Sequence, residues 1–364
     1  MSLAATARNQ AGVAASARVP RQSRIVLLGT GTVGRAFVAR HQRLAQRGVA
    51  LPAFELLANS RGHFDAAAAP EQALRAACEA PRDGEPREID IARLRRGDIV
   101  VDATASDAVA ARHADWLAHG VHVVTANKLG NGADLLRAQA IARAQREGRA
   151  HYGDSATVGA GLPLLRSIRE LVAGGDAIHA VEGVLSGSLA WLFDKYDGMR
   201  PFSGFVREAR EAGYTEPDPR IDLSGEDVRR KLLILARAAG IALEAHEIQV
   251  DSLVPEALAA AGGETLDERL ALLDAPLRER YQEAYRDGAE LRFVGRFGTD
   301  GASVGVRALP ANHPLCGGSG TDNRVAIRSD RYFEQPLVVQ GPGAGAEVTA
   351  SALLDDLIRI ASLQ

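Results

Sequence analysis

Three lysines, Lys128, Lys195 and Lys231, stand among 43 basic residues in this 364-residue chain, and every other basic residue is arginine. Arginine keeps its charge at every accessible pH, whereas a lysine amine can hold and release a proton once burial or neighbours tune it. The lysines are therefore where proton chemistry is to be sought, against the bland alternative of an arginine-rich composition that left three by chance. Lys231 follows Asp227 by four residues, which puts ammonium and carboxylate on one helix face. Just upstream, Gly213-Tyr-Thr-Glu-Pro-Asp-Pro-Arg-Ile-Asp222 gathers Glu216, Asp218 and Asp222 on a backbone stiffened by Pro217 and Pro219. Such a set would clamp an amino group and deliver a proton. Taken alone, Ser224 with Asp227 also reads as an N-cap and capping box, and Asp227 with Lys231 as an ordinary helix ion pair worth ~0.2–0.5 kcal/mol.

A second constellation opens the chain. The apolar run Arg24 to Gly29 reads as a buried strand, and Thr30-Gly-Thr-Val-Gly34 turns into a helical run to about Gln46. Gly29, Gly31 and Gly34 form G-x-G-x-x-G with a strand before and a helix after, the context in which this motif binds a dinucleotide. The first glycine permits the tight turn, the second lets a pyrophosphate approach, and the third packs helix on strand. Gly29, Gly31, Thr32, Val33 and Gly34 are the expected contacts. A second strand, Ala53 to Ala58, ends at Asn59-Ser60-Arg61, without the acid that NAD-selective folds place there, and Glu55 lies too early to serve. Arg61 suits a 2′-phosphate, so NADP is favoured over NAD.

The elements that must position these residues follow. Strands at Asp98 to Ala103 and Val121 to Thr125 flank a helical stretch, Ser106 to His119; β-α alternation of this kind argues α/β architecture with a Rossmann-type doubly wound parallel sheet. Thr104 and Lys128 lie just past strand ends and therefore line the ligand crevice. A further strand near Ala150 to Tyr152 leads into the turn Ser155 to Pro163. From there the pattern changes: a strand at Ala180 to Leu185, helices at Leu189 to Tyr196 and Phe205 to Ala212, and a hairpin within Glu290 to Val306. Pro336 to Gln340 is strand-like, and Gly341-Pro-Gly-Ala-Gly345 opens a last helix through about Ala361. The expected division is a tail at 1–23, a nucleotide-binding domain at 24–150, an α+β substrate and dimerisation domain at 151–335, and a C-terminal segment, 336–364, returning to the nucleotide-binding domain.

Hydrophobic residues make up 46% and charged residues 24%, with a net charge of −3 and interleaved signs, which gives no case for nucleic acid. No stretch reaches the roughly 18 apolar residues of a membrane helix. Cys78 and Cys316 lack metal spacing and read as free thiols of a reducing cytoplasm. The acid-free residues before Arg24 read as a disordered tail rather than a transit peptide.

In Ala-Asn-Lys128, Ala-Thr-Val-Gly-Ala-Gly-Leu-Pro163, Gly183-Val-Leu-Ser-Gly-Ser188, Gly-Tyr-Thr-Glu-Pro-Asp-Pro-Arg220, Asp227-Val-Arg-Arg-Lys231 and Gly-Pro-Gly-Ala-Gly345, the chain resembles homoserine dehydrogenases, most of all the dehydrogenase portion of bifunctional aspartokinase–homoserine dehydrogenases. The resemblance implies NAD(P)H-dependent, reversible reduction of L-aspartate 4-semialdehyde to L-homoserine, a small-molecule reaction of threonine and methionine biosynthesis, in a cytoplasmic homodimer. It implies Lys231 as proton donor and Lys128 as a second crevice lysine, with Glu216, Asp222 and Asp227 on the substrate and Thr104, Lys128 and Gly345 near the cofactor. It also implies a structural Na⁺ or K⁺ on the backbone carbonyls of Ser155, Val158, Ala160 and Leu162. The acid common at the Ser155 position is absent, and Ile221 interrupts the usual Arg-Asp-Asp. No kinase or C-terminal regulatory segment is expected, and so no threonine feedback through one. Two rivals stay open here: another semialdehyde reductase on the same scaffold, the acylating kind needing a thiol nucleophile, and a non-catalytic dinucleotide sensor.

Overall fold

A computed structural model describes residues 23–81 and 93–363; the tail expected over 1–23 lies outside them apart from Ser23. The first sheet contains β1 (Arg24–Leu28), β2 (Ala53–Asn59), β3 (Gly62–Asp65), β4 (Ile99–Asp102), β5 (His122–Thr125) and β6 (Tyr152–Gly153), in the order β3-β2-β1-β4-β5-β6. All neighbours are parallel except β3, which folds back antiparallel on β2 through Ser60 and Arg61. β1, β4 and β5 carry unbroken apolar runs such as Ile-Val-Val because helices cover both faces of the sheet. Those helices are α1 (Thr32–Gln46), α2 (Pro70–Glu79), α3 (Asp107–Ala111), α4 (His113–Ala118) and α5 (Leu135–Gly148).

The second domain begins with α6 (Leu164–Ala173), β7 (Ile178–Val184), α7 (Gly187–Lys195), α8 (Phe202–Glu211), α9 (Arg220–Leu223) and α10 (Glu226–Ala238). β8 (Ile248–Val250), α11 (Glu256–Ala259), α12 (Leu266–Arg269), α13 (Asp274–Arg286), β9 (Ala289–Gly298), β10 (Gly301–Pro310), β11 (Asp322–Ser329) and β12 (Leu337–Pro342) follow. Its strands run β12-β11-β7-β9-β10-β8, antiparallel but for β10 with β8. One face of this sheet is apolar at alternate positions, as in Leu291, Phe293 and Phe297, and meets Val228, Leu232 and Leu235 of α10 in the largest core. That packing turns Asp227 and Lys231 toward the first domain. α14 (Ala346–Ala361) closes the chain, with Leu353, Leu354 and Leu357 in one core with Phe37 of α1. Among the described residues no helix is long and apolar enough to cross a membrane.

Three expectations change. β12 is the edge strand of the second sheet, so of the C-terminal segment only α14 packs into the nucleotide-binding core. The strand near Ala150 is displaced to β6, Tyr152–Gly153. Ser224 closes α9 instead of capping α10. The N-cap is Gly225 at φ +77°, where a Cβ would stand 2.9 Å from Phe293 Cζ, so only glycine makes the bend between α9 and α10.

Candidate active site

A cavity of about 630 Å³ opens at the carboxyl ends of β1 and β4, lined by Gly29, Thr30, Gly31, Asn59, Arg61 and Thr104. The three glycines have separate reasons. Gly29 sits at φ +92° with Ala103 O 2.8 Å from where a Cβ would be, and Gly34 has Gly29 O at 2.0 Å. Gly31 would meet nothing within 4 Å, which leaves backbone exposed to a ligand at the amino end of α1. This cradle fits a dinucleotide. Thr32, Val33 and Gly34 make the first turn of α1 behind it, and neither Lys128 nor Gly345 lines the cavity.

At the end of β2, Asn59 Nδ2 donates to Thr30 Oγ1 at 2.7 Å and to Ala77 O at 2.8 Å. Glu55 is committed to Arg24 at 2.7 Å. Arg61 occupies the hairpin turn, and its Nη1 donates to Cys78 O and to Ala80 O, the latter at 3.0 Å. Thr104 is held by Asp102, whose Oδ1 accepts both its N–H (2.9 Å) and its hydroxyl (2.7 Å). The same buried carboxylate takes His113 Nε2 at 3.0 Å. Asn127, which the sequence reading passed over although it adjoins Lys128, donates to Ser106 O at 2.8 Å and so ties the β5 loop to the β4 loop.

Asp227 brings Lys128 and Lys231 together outside the lining of that cavity. Its Oδ2 lies 2.8 Å from Lys231 Nζ and its Oδ1 3.4 Å from Lys128 Nζ. Burial works against its charge, but Lys231 and Lys128 outweigh it and hold the carboxyl down to about 2. Lys231 is buried, and its Nζ also donates to Leu185 O at 2.6 Å. Two of its three N–H groups are thus spoken for, and one remains for a ligand. Asn323, also missed, donates to the same carbonyl at 3.3 Å. Gly343 gives it room, since a Cβ there would stand 2.0 Å from Asn323 Cγ. No local pattern around a strand residue announces such a partner. Lys195 is elsewhere, half exposed beside Asp194.

The acidic loop divides its work. Asp222 accepts the Ser188 hydroxyl at 2.7 Å and the Glu216 N–H at 2.9 Å, which fixes the loop that presents Glu216. Asp218 is bound to Arg220, whose Nη1 grips Ala261 O at 2.8 Å. Glu216 is exposed, and its carboxylate has no bonded partner among the described residues.

The turn after β6 carries Ser155, Val158, Ala160 and Leu162, with Gly159 at φ +73° and Ala160 at φ +50°. Val158 and Ala160 are buried, and Leu162 O accepts the Leu164 N–H at 2.8 Å. Asp356 of α14 accepts both the N–H and the hydroxyl of Ser155 at 2.9 Å, so a carboxylate reaches this point from the far end of the chain. Burial pushes the Asp356 carboxyl up. Among the described residues no cluster of three or more His, Cys, Asp or Glu could hold a metal.

Residues 163–358 match a family model described as homoserine dehydrogenase, and residues 29–153 match its NAD-binding domain. The chain is 45% identical over 267 residues to bifunctional aspartokinase/homoserine dehydrogenase 2 of Zea mays, covering 72% of this chain but only 29% of that protein. It is 39% identical over 273 residues to homoserine dehydrogenase of Schizosaccharomyces pombe, covering 72% of this chain and 73% of that one. Among solved structures, a Candida auris protein of unknown function superposes with TM-score 0.84 at 34% identity over 94% of this chain and 98% of its own. A hyperthermophilic archaeal homoserine dehydrogenase in complex with NADPH shares the fold, with TM-score 0.71 at 23% identity over 94% and 98%.

Proposed function

Because this chain belongs to the homoserine dehydrogenase family, we propose that it catalyses the reversible, nicotinamide-dependent reduction of L-aspartate 4-semialdehyde to L-homoserine. The observation that carries this reading is the carboxylate of Asp227 holding Lys128 and Lys231, from two domains, at 3.4 and 2.8 Å. A bound dinucleotide supplies the hydride for the aldehyde carbon. Lys231 holds the proton for the aldehyde oxygen on its one uncommitted N–H, and its charge stabilises the alkoxide as it forms. Lys128 orients the substrate from the other side of Asp227. Glu216 takes the substrate ammonium, and Asp222 fixes that loop while its remaining lone pairs face the same group.

Gly29, Gly31 and Thr104 hold the dinucleotide, with the first turn of α1 behind them and Gly345 beside α14. NADPH is the preferred form: the turn after β2 offers Ser60 and Arg61 and no free acid, since Glu55 is paired. The left-handed turn through Ala160 would hold a structural monovalent cation. A cytoplasmic homodimer joined through the second sheet completes the family-based reading.

The test is NADPH oxidation with aspartate semialdehyde, beside NADH, in the wild type and two variants. Lys231→Ala should lose on the order of 10²-fold or more in kcat with folding intact. Lys231→Arg should be as poor, because a guanidinium keeps the charge but does not release the proton. Near-normal turnover by either variant would remove Lys231 from the chemistry. Tight NADPH binding without wild-type turnover would favour a sensor.

A further inference from the structure

Lys128 meets Asp227 only if the loop that bears it is held at the right height over α10; Asp154 takes the Asn131 amide at 2.7 Å and Arg137 donates to Leu129 O at 3.0 Å, and α10 supplies the rest of the hold. Arg237, six residues beyond Lys231, has a side chain only 8% exposed. Its Nη1 donates to Asn131 O at 2.6 Å and Ala133 O at 2.7 Å, both in the loop that follows Lys128. Nε and Nη2 donate to Leu243 O at 3.3 and 2.9 Å, which anchors the guanidinium to the chain leaving α10. Beside it, both carboxylate oxygens of Glu244 accept the Leu135 N–H at the amino end of α5, at 3.1 Å. Between these grips the loop is wedged tight. A Cβ on Gly132 would lie 2.5 Å from Lys128 O and 2.7 Å from Arg230 Cγ, and the Gly132 N–H donates to Lys128 O at 2.7 Å. A planar fork of five donors can take several carbonyls at once, which a lysine at the same place could not do.

We propose that Arg237, braced by Glu244, is a positioning residue that sets Lys128 against Asp227 and Lys231. The amine pair is then assembled by one helix and the loop it grips, and not by closure of the two domains. Arg237 touches no reacting atom; it acts through the carbonyls of 131 and 133 alone. The kinetic arm of its test rests on the activity proposed above, and a chemical arm does not.

The scarcity of lysine makes the chemical arm clean. Reductive methylation followed by mass spectrometry reads Lys128, Lys195 and Lys231 one by one, with half-exposed Lys195 as internal reference. In Arg237→Gln the Lys128 rate should rise several-fold relative to Lys195, while Lys231 keeps its wild-type ratio. In the kinetic arm kcat should fall on the order of tenfold or more, with KM for NADPH within about twofold. Millimolar guanidinium should restore part of kcat to Arg237→Ala and none to the Lys231 variants. Glu244→Gln, which keeps shape and loses charge, should move both readouts the same way by less, and it carries the test if the Arg237 variants do not fold. Folded Arg237→Gln with unchanged Lys128 labelling overturns the proposal. A wild type without aldehyde turnover, but with the labelling change in Arg237→Gln, sinks the activity and leaves the positioning role standing.

Discussion

Asp227 shows what a single residue contributes and how much of it the sequence announces. Its pairing with Lys231 is legible, because four residues on a helix define one face. Its pairing with Lys128, 99 positions earlier, is not, and neither is the Leu185 carbonyl that takes a second proton of Lys231. Rarity was the only local hint that joined the two lysines, and Lys195 shows that rarity alone does not suffice. The carboxyl titrates near 2, below its ordinary 3.8, because two ammonium groups outweigh the cost of burial. Its stabilising effect is therefore complete above pH 4, shrinks as the pH falls, and is gone below 2. The side chain is 43% exposed, so solvent screening leaves about 1 kcal/mol of this. Asp227→Asn should accordingly lose about 1 kcal/mol in urea unfolding at pH 7 and only a small part of that at pH 2. It should also lose kcat, since two ammonium groups face one another without their counter-ion. A deficit that persists undiminished at pH 2 would mean that shape, and not charge, is what Asp227 provides.

At the scale of elements, the glycine turn between β1 and α1 separates folding from binding. Gly34 packs against backbone: a methyl there meets Gly29 O at 2.0 Å and must push α1 off the sheet. Gly31 has no neighbour within 4 Å. Gly34→Ala should therefore cost about 3 kcal/mol of stability and abolish dinucleotide binding with it. Gly31→Ala should leave stability within about 0.5 kcal/mol while weakening NADPH binding about tenfold or more, because the methyl stands where the ligand approaches. Unfolding curves and fluorescence titration of the two variants check this, and equal stability losses would refute it. The strand-turn-helix context made this element readable, as did the apolar runs of β1, β4 and β5. β3 and β11 were not readable. β3 is four residues behind a two-residue turn, and β11 alternates Asn323, Val325 and Ile327 with Arg324, Ala326 and Arg328 against partners about 140 positions away. Its inward residues are explained only by the sheet they enter.

For the whole molecule, the change of pattern after β6 marks the division into domains, but the ties across it are invisible in any window of sequence. Asp356 on Ser155 and Arg237 on the Lys128 loop join segments 201 and 106 residues apart, and Arg169 on Asp154 at 2.5 Å ties the start of the second domain to the end of the first. These ties make the stability of the nucleotide-binding sheet a condition for the site as a whole, and that sheet contains an acid-sensitive group. His122 of β5 is 5% exposed, its Nδ1 accepts the His151 N–H at 2.9 Å, and its ring stacks on that of His151 at 5.3 Å. Burial, with His151 and Arg96 adding to it, pulls the imidazole down from 6.5 to about 4. A histidine depressed in the folded state favours folding fully above its unfolded value, and that share is lost as the pH falls from 6.5 to 4. The loss amounts to about 3 kcal/mol. Unfolding free energy should hold steady from pH 8 to 7 and then decline by about this much, with buried His41 adding to the slope in the same direction. Asp227 does not titrate in that window, so acid inactivation should follow unfolding of the β5 region and not protonation of the Lys128–Asp227–Lys231 group. His122→Asn keeps an acceptor for the His151 N–H and removes the titration. It should flatten the decline and move the acid limb of activity to lower pH, whereas wild-type and variant curves that stay parallel would place the acid sensitivity elsewhere in the fold.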